Sequence, residues 1–302
     1  MATTARKQGE TGTGFSFGRA GTVLAWAAYV VFWGWVFLRW LNNWILPPGI
    51  GVKPSESFLD PAMIEPVSSS LAFAVEYLPT LATGIWYTII LTVVGIILGF
   101  VIAVPLAVAR VYGKYTRYLS LGYIELIRGT PLLAQLFVLY YGLPLTTWIR
   151  NLPLVDQGIV PGQAFWVAII GFTINSAAYQ GEYIRSALIS IESGQMTAAR
   201  GIGLSRLESI RYVILPQGLR YAIPAWSNEL VYLIKYSSLA SFITVDELYN
   251  VAGAVAAENF AYTGIFTLVA VFYLGIVITA SNFMDWVETQ VSIPGIGQRQ
   301  SQ

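Results

Sequence analysis

The sequence predicts an all-α polytopic membrane protein with six transmembrane helices and both termini in the cytoplasm. Three observations carry that expectation. The 302 residues are 56% hydrophobic and only 11% charged, with a mean hydropathy of +0.62. A soluble domain carries about 25% charged residues, so this chain has too few to cover a water-facing surface. Six stretches approach the roughly 20 apolar residues that one crossing needs. The loops between them alternate in charge, which fixes direction because cytoplasmic loops collect Lys and Arg.

The first stretch runs from about Ala20 to Leu38 and on toward Leu46. Its basic tail and the small residues at Ala25 and Ala27 also permit a signal peptide. The run is long for that and rich in tryptophan (Trp26, Trp33, Trp35, Trp40, Trp44), which suits a retained anchor with an aromatic belt at its outer end. The second stretch is Leu81–Ala109 with Pro105 inside it, and the third is Tyr118–Leu143, interrupted at Arg128-Gly129-Thr130-Pro131. The fourth is Gln163–Tyr183, the fifth, Ala222–Val245, is weakened by Glu229 and Lys235, and the sixth is Tyr262–Trp286.

Arg6, Lys7 and Arg19 precede the first stretch, Arg110, Lys114 and Arg117 follow the second, and Arg185, Arg200, Arg206, Arg211 and Arg220 follow the fourth. The intervening loops lean acidic: Glu56, Asp60, Glu65 and Glu76 against Lys53, then Asp156 against Arg150, then Asp246, Glu247 and Glu258 with no base. Without the weak fifth stretch the sixth would run the wrong way. Residues 47–77 are rich in Pro, Ser and acids and read as an external linker.

Several chemistries are excluded. With no Cys and no His there is no thiolate or imidazole nucleophile, base or metal ligand. A net charge of +1 gives no bulk attraction for nucleic acid. Gly113-Lys114 is followed by Tyr115, so no phosphate-binding Walker loop is present. Any ATP-driven work therefore needs a second chain to hydrolyse the nucleotide. An intramembrane aspartyl enzyme is disfavoured because Asp246 and Asp285 sit at span ends.

The segment between the fourth and fifth stretches is the most informative. Ser193 is placed to cap a short helix from Gln195 to about Arg200, and Gly201 and Gly203 to stop it. Ser205 and Glu208 have capping-box spacing, so a second helix starts there and is bounded by Pro216. Ala198 and Ala199 leave one side of the first helix low, as a helix seated in another protein's groove requires. An amphipathic loop lying on lipid headgroups is the other reading.

Intramembrane charges mark the rest. Glu125 and Arg128 share a helix face beside the break at Gly129-Thr130-Pro131, and Glu182 and Arg185 share another. Each is either a functional pair or an ion pair that holds the bundle. Lys235 either binds a substrate carboxylate or pairs with an acid on another helix. Gly95 and Gly99 form a small-xxx-small pattern suited to close helix packing, within the chain or between subunits.

The spacing Thr197-Ala198-Ala199, three residues, Gly203, nine residues, Val213-Ile214-Leu215-Pro216 resembles the EAA loop of ABC importer permeases. Thr197 stands where that family usually has Glu. The run Glu125-Leu-Ile-Arg128-Gly129-Thr130-Pro131-Leu-Leu followed by Gln135 resembles the signature of the polar amino-acid branch. So do Asn175 to Tyr179 with Glu182 and Arg185, and Asn228 with Lys235, Ser237 and Ser238, although Tyr236 replaces the usual Asp.

The resemblance implies a five-helix type I importer core over about 78–286, with an added anchor in 1–46, the linker 47–77, a coupling loop at 185–220 and a cytoplasmic tail at 287–302. It implies no cofactor and no catalysis in this chain. It implies a multi-pass subunit of the cell membrane, surrounded by lipid, that pairs with a second permease, docks ABC ATPase subunits and receives polar amino acids from an external binding protein. The coupling residues would be Gln195, Thr197, Ala198, Ala199, Gly203, Leu215 and Pro216. The rival reading is an ATPase-independent channel or secondary transporter that uses the intramembrane charges for ion coupling.

Overall fold

The computed structural model describes residues 19–46, 51–53, 56–153, 155 and 161–291. Residues 1–18, with Arg6 and Lys7, residues 292–302 of the tail expected at 287–302, and the acid Asp156 lie outside them. The described residues form helices and turns, with no strand among them. The helices are α1 (Arg19–Trp40), α2 (Pro61–Ile64), α3 (Ser69–Tyr112), α4 (Thr116–Arg128), α5 (Leu132–Phe137) and α6 (Leu145–Arg150). They continue as α7 (Gln163–Ser190), α8 (Ser193–Gly201), α9 (Arg206–Ser209), α10 (Leu215–Tyr236), α11 (Leu248–Asn259) and α12 (Tyr262–Val291).

Two helices, α3 and α12, are each long and apolar enough to cross a membrane. At 1.5 Å per residue, the 44 residues of α3 are about 66 Å long, well beyond a bilayer of about 45 Å with headgroups. It begins at Ser69, where the Ser68 hydroxyl accepts from the Leu71 N–H, so residues 69–77 of the expected linker are helical. The expected acidic loop 246–261 is likewise mostly helix. In α11, Leu248, Ala252, Val255 and Ala256 face inward, and the buried Glu247 carboxylate caps the N-terminus by accepting from the Tyr249 and Asn250 N–H groups.

Helix α7 is the centre of the bundle, and its small residues let α3 lie against it. A methyl placed on Gly99 would sit 2.9 Å from Gln180 Nε2 and 3.0 Å from Ser176 Cβ, and one on Gly95 3.0 Å from Phe172 Cβ. The small-xxx-small pattern is therefore packing inside one chain. Gly99→Val is expected to cost about 1–3 kcal/mol through overpacking. That should lower the melting temperature of the detergent-solubilised protein, whereas Gly34→Ala, with open space around it, should leave the melt unchanged.

Helix α1 packs on the periphery. Trp33 Nε1 and the Tyr29 hydroxyl both donate to Thr279 Oγ1 of α12, at 2.8 and 3.1 Å. At the other end Trp40, Trp44 and Trp86 pack ring to ring, and Trp40 donates to the Ala82 carbonyl of α3. Val23, Leu24, Trp26, Val30 and Val31 stay exposed, as a lipid-facing stripe would.

Candidate coupling loop and translocation site

The segment after α7 is braced at the joint between its two helices. Helix α7 continues to Ser190, five residues past the expected loop start at Arg185, and α8 follows after Ile191 and Glu192. Glu192, rather than Ser193, occupies the N-cap, with no side-chain bond. At the far end of α8 the Leu204 N–H reaches the Ala199 carbonyl (3.2 Å) and the Gly203 N–H the Arg200 carbonyl (3.1 Å). This is a Schellman termination, and Gly203 supplies its left-handed residue at φ 94°. Gly201 stays inside the helix.

The capping box forms as the spacing predicts: the Ser205 hydroxyl accepts from the Glu208 N–H (3.3 Å), and Glu208 Oε2 accepts from the Ser205 N–H (2.8 Å). These bonds from Ser205 hold the Glu208 carboxyl below its usual range. The cap is thus complete above the ordinary carboxyl pKa of about 4.3 and is lost as pH falls through the lower folded value.

Pro216 does not end this second helix. Residues Ile210–Ile214 form a π-helical turn that runs from α9 directly into α10, and Pro216 sits in the first turn of α10, where a missing N–H is tolerated. From Arg206 on, the second helix of this segment and the fifth stretch are one continuous rod. It is tied to the bundle by Gly218, where a methyl would come within 2.6 Å of Leu188, and by Arg206 donating to the Tyr112 carbonyl at the end of α3. Ile214 and Leu215 pack with Ala103, Ala107, Ile184 and Leu188.

The two alanines divide. Ala199 is 4% exposed and packs inward, so it does not belong to an outer contact surface as its spacing predicts. Thr197 and Ala198 face outward with Gln195, and beside them stand Ile202 (81% exposed) and Leu207 (73%). Those two apolar side chains extend the surface that the alanine spacing marks only in part.

The break in the third stretch has a specific repair. Pro131 has no N–H for the Ile127 carbonyl four residues back. Gln135 Nε2 donates to that carbonyl instead (2.7 Å), and also to the Thr130 carbonyl and hydroxyl (3.0 and 2.8 Å). Asn175 of α7 then donates to Gln135 Oε1 (3.0 Å). Glu125 and Arg128 make no ion pair with each other; Arg128 lies 5.4 Å above the Tyr179 ring. Glu182 and Arg185 do pair: Arg185 Nε is 2.9 Å from each carboxylate oxygen.

Lys235 has no acid partner among the described residues, in contrast to the pairing expected across helices, and stacks 4.8 Å over Tyr232. Asn228 donates to the Pro224 carbonyl of its own helix (3.3 Å) and Ser238 to the Lys235 carbonyl (3.0 Å). The acid that matters here is Glu229. It is 3% exposed and accepts from Ser176 (3.2 Å) and Tyr183 (3.4 Å) of α7. Ser176 also accepts from Gln180, which donates to the Ile96 carbonyl of α3 and accepts from Trp226 of α10. Glu229, Asn175, Tyr179, Tyr183, Tyr232 and Tyr236 line a cavity of about 300 Å³. Gln180 and Glu229 were not legible as partners, because their contacts cross between helices far apart in sequence.

Comparison with known proteins identifies the family. Residues 95–293 match the model of the binding-protein-dependent transport system inner membrane component family. The probable amino-acid ABC transporter permease protein YckA of Bacillus subtilis is 38% identical over 216 residues, which cover 71% of this chain and 90% of that protein. The glutamine transport system permease protein GlnP of Escherichia coli K12 is 36% identical over 217 residues, covering 72% and 94%. A crystal structure of an amino acid ABC transporter with histidines superposes with TM-score 0.61 at 30% identity, covering 72% of this chain and 97% of that one. The inward-facing MetNI methionine ABC transporter shares the fold, with TM-score 0.62 at 21% identity, covering 72% and 98%. The chain belongs to the family of binding-protein-dependent transport system inner membrane components.

Proposed function

We propose that the chain is the membrane-spanning permease subunit of an ATP-driven importer for polar amino acids, with six spans, both termini in the cytoplasm and a second permease subunit beside it. The external binding protein delivers substrate, and the cavity at Glu229 lies on its path through the membrane. The segment 185–220 docks a separate ATPase through Thr197, Ala198, Ile202 and Leu207. Closure of the ATPases draws the docked loops together, and the continuous rod from α9 into α10 turns that motion into rigid-body opening of the path. Hydrolysis reverses it.

One observation carries this reading. Exposed Ile202 and Leu207 sit on an elbow whose first helix ends in a Schellman turn, whose second begins in a capping box and whose one side is packed into the bundle. A loop that only rests on lipid needs no Schellman turn, capping box or continuous rod. Purification of the tagged chain from its own cells is expected to bring down an ATPase, and vesicles supplied with the binding protein should accumulate labelled amino acids only with ATP. Uptake that proceeds without nucleotide would favour the channel or secondary transporter instead.

A further inference from the structure

A second polar cavity, of about 350 Å³, lies among the end of α6, the start of α7 and the turn before α11. Its size falls in the range of roughly 300–1,000 Å³ typical of small-molecule sites. Two opposite charges line it, Arg150 and Asp246. Neither is in an ion pair among the described residues. Each is held by a neutral amide instead: Arg150 Nε donates to Gln163 Oε1 at 2.7 Å, and Asp246 Oδ1 accepts from Asn250 Nδ2 at 3.0 Å.

The arrangement leaves much unused bonding capacity. A guanidinium has five N–H donors in a fork that fits a carboxylate, and among the described residues one of them is engaged. An ionised Asp accepts at about four lone-pair positions. Phe165 contributes apolar surface to the lining, and Thr244 is held in the left-handed region at φ 64°, where a β-branched residue is strained. Strain of that kind persists where the surroundings fix a site.

We propose that this cavity receives the zwitterionic head of a free α-amino acid, the carboxylate on Arg150 and the ammonium on Asp246. It reads the part that all α-amino acids share and leaves the side chain unread. The inference rests on the transport reading for its role, in which residues 144–153 and 246–261 lie on the side from which the binding protein delivers. A receiving site of this kind takes up substrate after release and before it enters the membrane.

The chain has no cysteine, so Ala164→Cys puts its only thiol in the cavity wall. The full chain in lipid nanodiscs is alkylated with and without L-glutamine, which serves as a probe of the shared head group. At ten times its Kd the probe should slow the reaction about tenfold. L-glutamine α-amide, which lacks the carboxylate, and N-acetyl-L-glutamine, which lacks the ammonium, should give no protection. Arg150→Gln and Asp246→Asn should each abolish protection by L-glutamine while alkylating at the parent rate without it.

No protection by L-glutamine up to saturation, or equal protection by all three compounds, overturns the proposal. These analogue arms use the unaltered charges, so they decide the matter even where a variant fails to fold. ATP-driven uptake of a panel of labelled amino acids is measured separately. Its absence sinks the transport reading and leaves the binding result standing, and uptake without protection sinks only the receiving site.

Discussion

Gly203→Val should cut ATP-dependent uptake to about a tenth of wild type or less, with the same amount of chain in the membrane. The reason is backbone geometry alone. Gly203 has φ 94°, and nothing lies within 4 Å of the position a methyl would take, so the substitution meets no clash. A β-branched residue held in that conformation is strained by about 1–3 kcal/mol, which is up to roughly a hundredfold in the population of the native turn. When the turn relaxes, the bonds from Leu204 to Ala199 and from Gly203 to Arg200 are lost, and α8 changes its angle to α9. The bundle is untouched, because this turn is exposed. Gly203→Asn is the control, since Asn tolerates the left-handed region. It should retain most of the uptake. Vesicle uptake, membrane immunoblot and co-purification of the ATPase separate the outcomes. Full activity in the Val variant would remove this elbow from the transmission of force.

What the sequence makes legible is short-range. The capping box at Ser205 and Glu208, the left-handed stop at Gly203 and the break at Pro131 each follow from residues within one or two turns, and each forms. Features that need a partner from another helix are hidden. Gln135 reads as an ordinary polar residue until the Ile127 carbonyl, which Pro131 cannot serve, is seen beside it, and Glu229 reads as a blemish on a weak span until Ser176 and Tyr183 close over it. Helix α11 carried a usable signal. Leu248, Ala252, Val255 and Ala256 recur at helical spacing, but acids at both ends gave the stretch the appearance of a solvated loop. Pro216 misled for a different reason: a proline bounds a helix only where its N–H is needed, and the π-helical turn before it removes that need.

Glu229→Gln should lower uptake about tenfold or more without loss of folded protein, and Glu229→Leu should lose both. Glu229 is the one carboxylate on the cavity wall beside Asn175 and four tyrosines, which are neutral and hydroxyl-bearing. A hydrogen bond to a charged group contributes about 1.5–3 kcal/mol, so removing the charge weakens the hold on a substrate ammonium or guanidinium by at least that tenfold. The Gln oxygen still accepts from one of the two hydroxyls and its amide N–H2 donates to the oxygen of the other, so the junction between α7 and α10 survives. Leucine accepts nothing. It leaves two buried hydroxyls to find other partners, at about 1–3 kcal/mol for each that fails, and the thermal melt in detergent should drop. Labelled uptake normalised to membrane abundance, read beside that melt, distinguishes a substrate contact from a structural one. If the Gln variant transports at the wild-type rate with an unchanged half-saturating concentration, the carboxylate serves only to join two helices, and the path of the substrate must lie elsewhere.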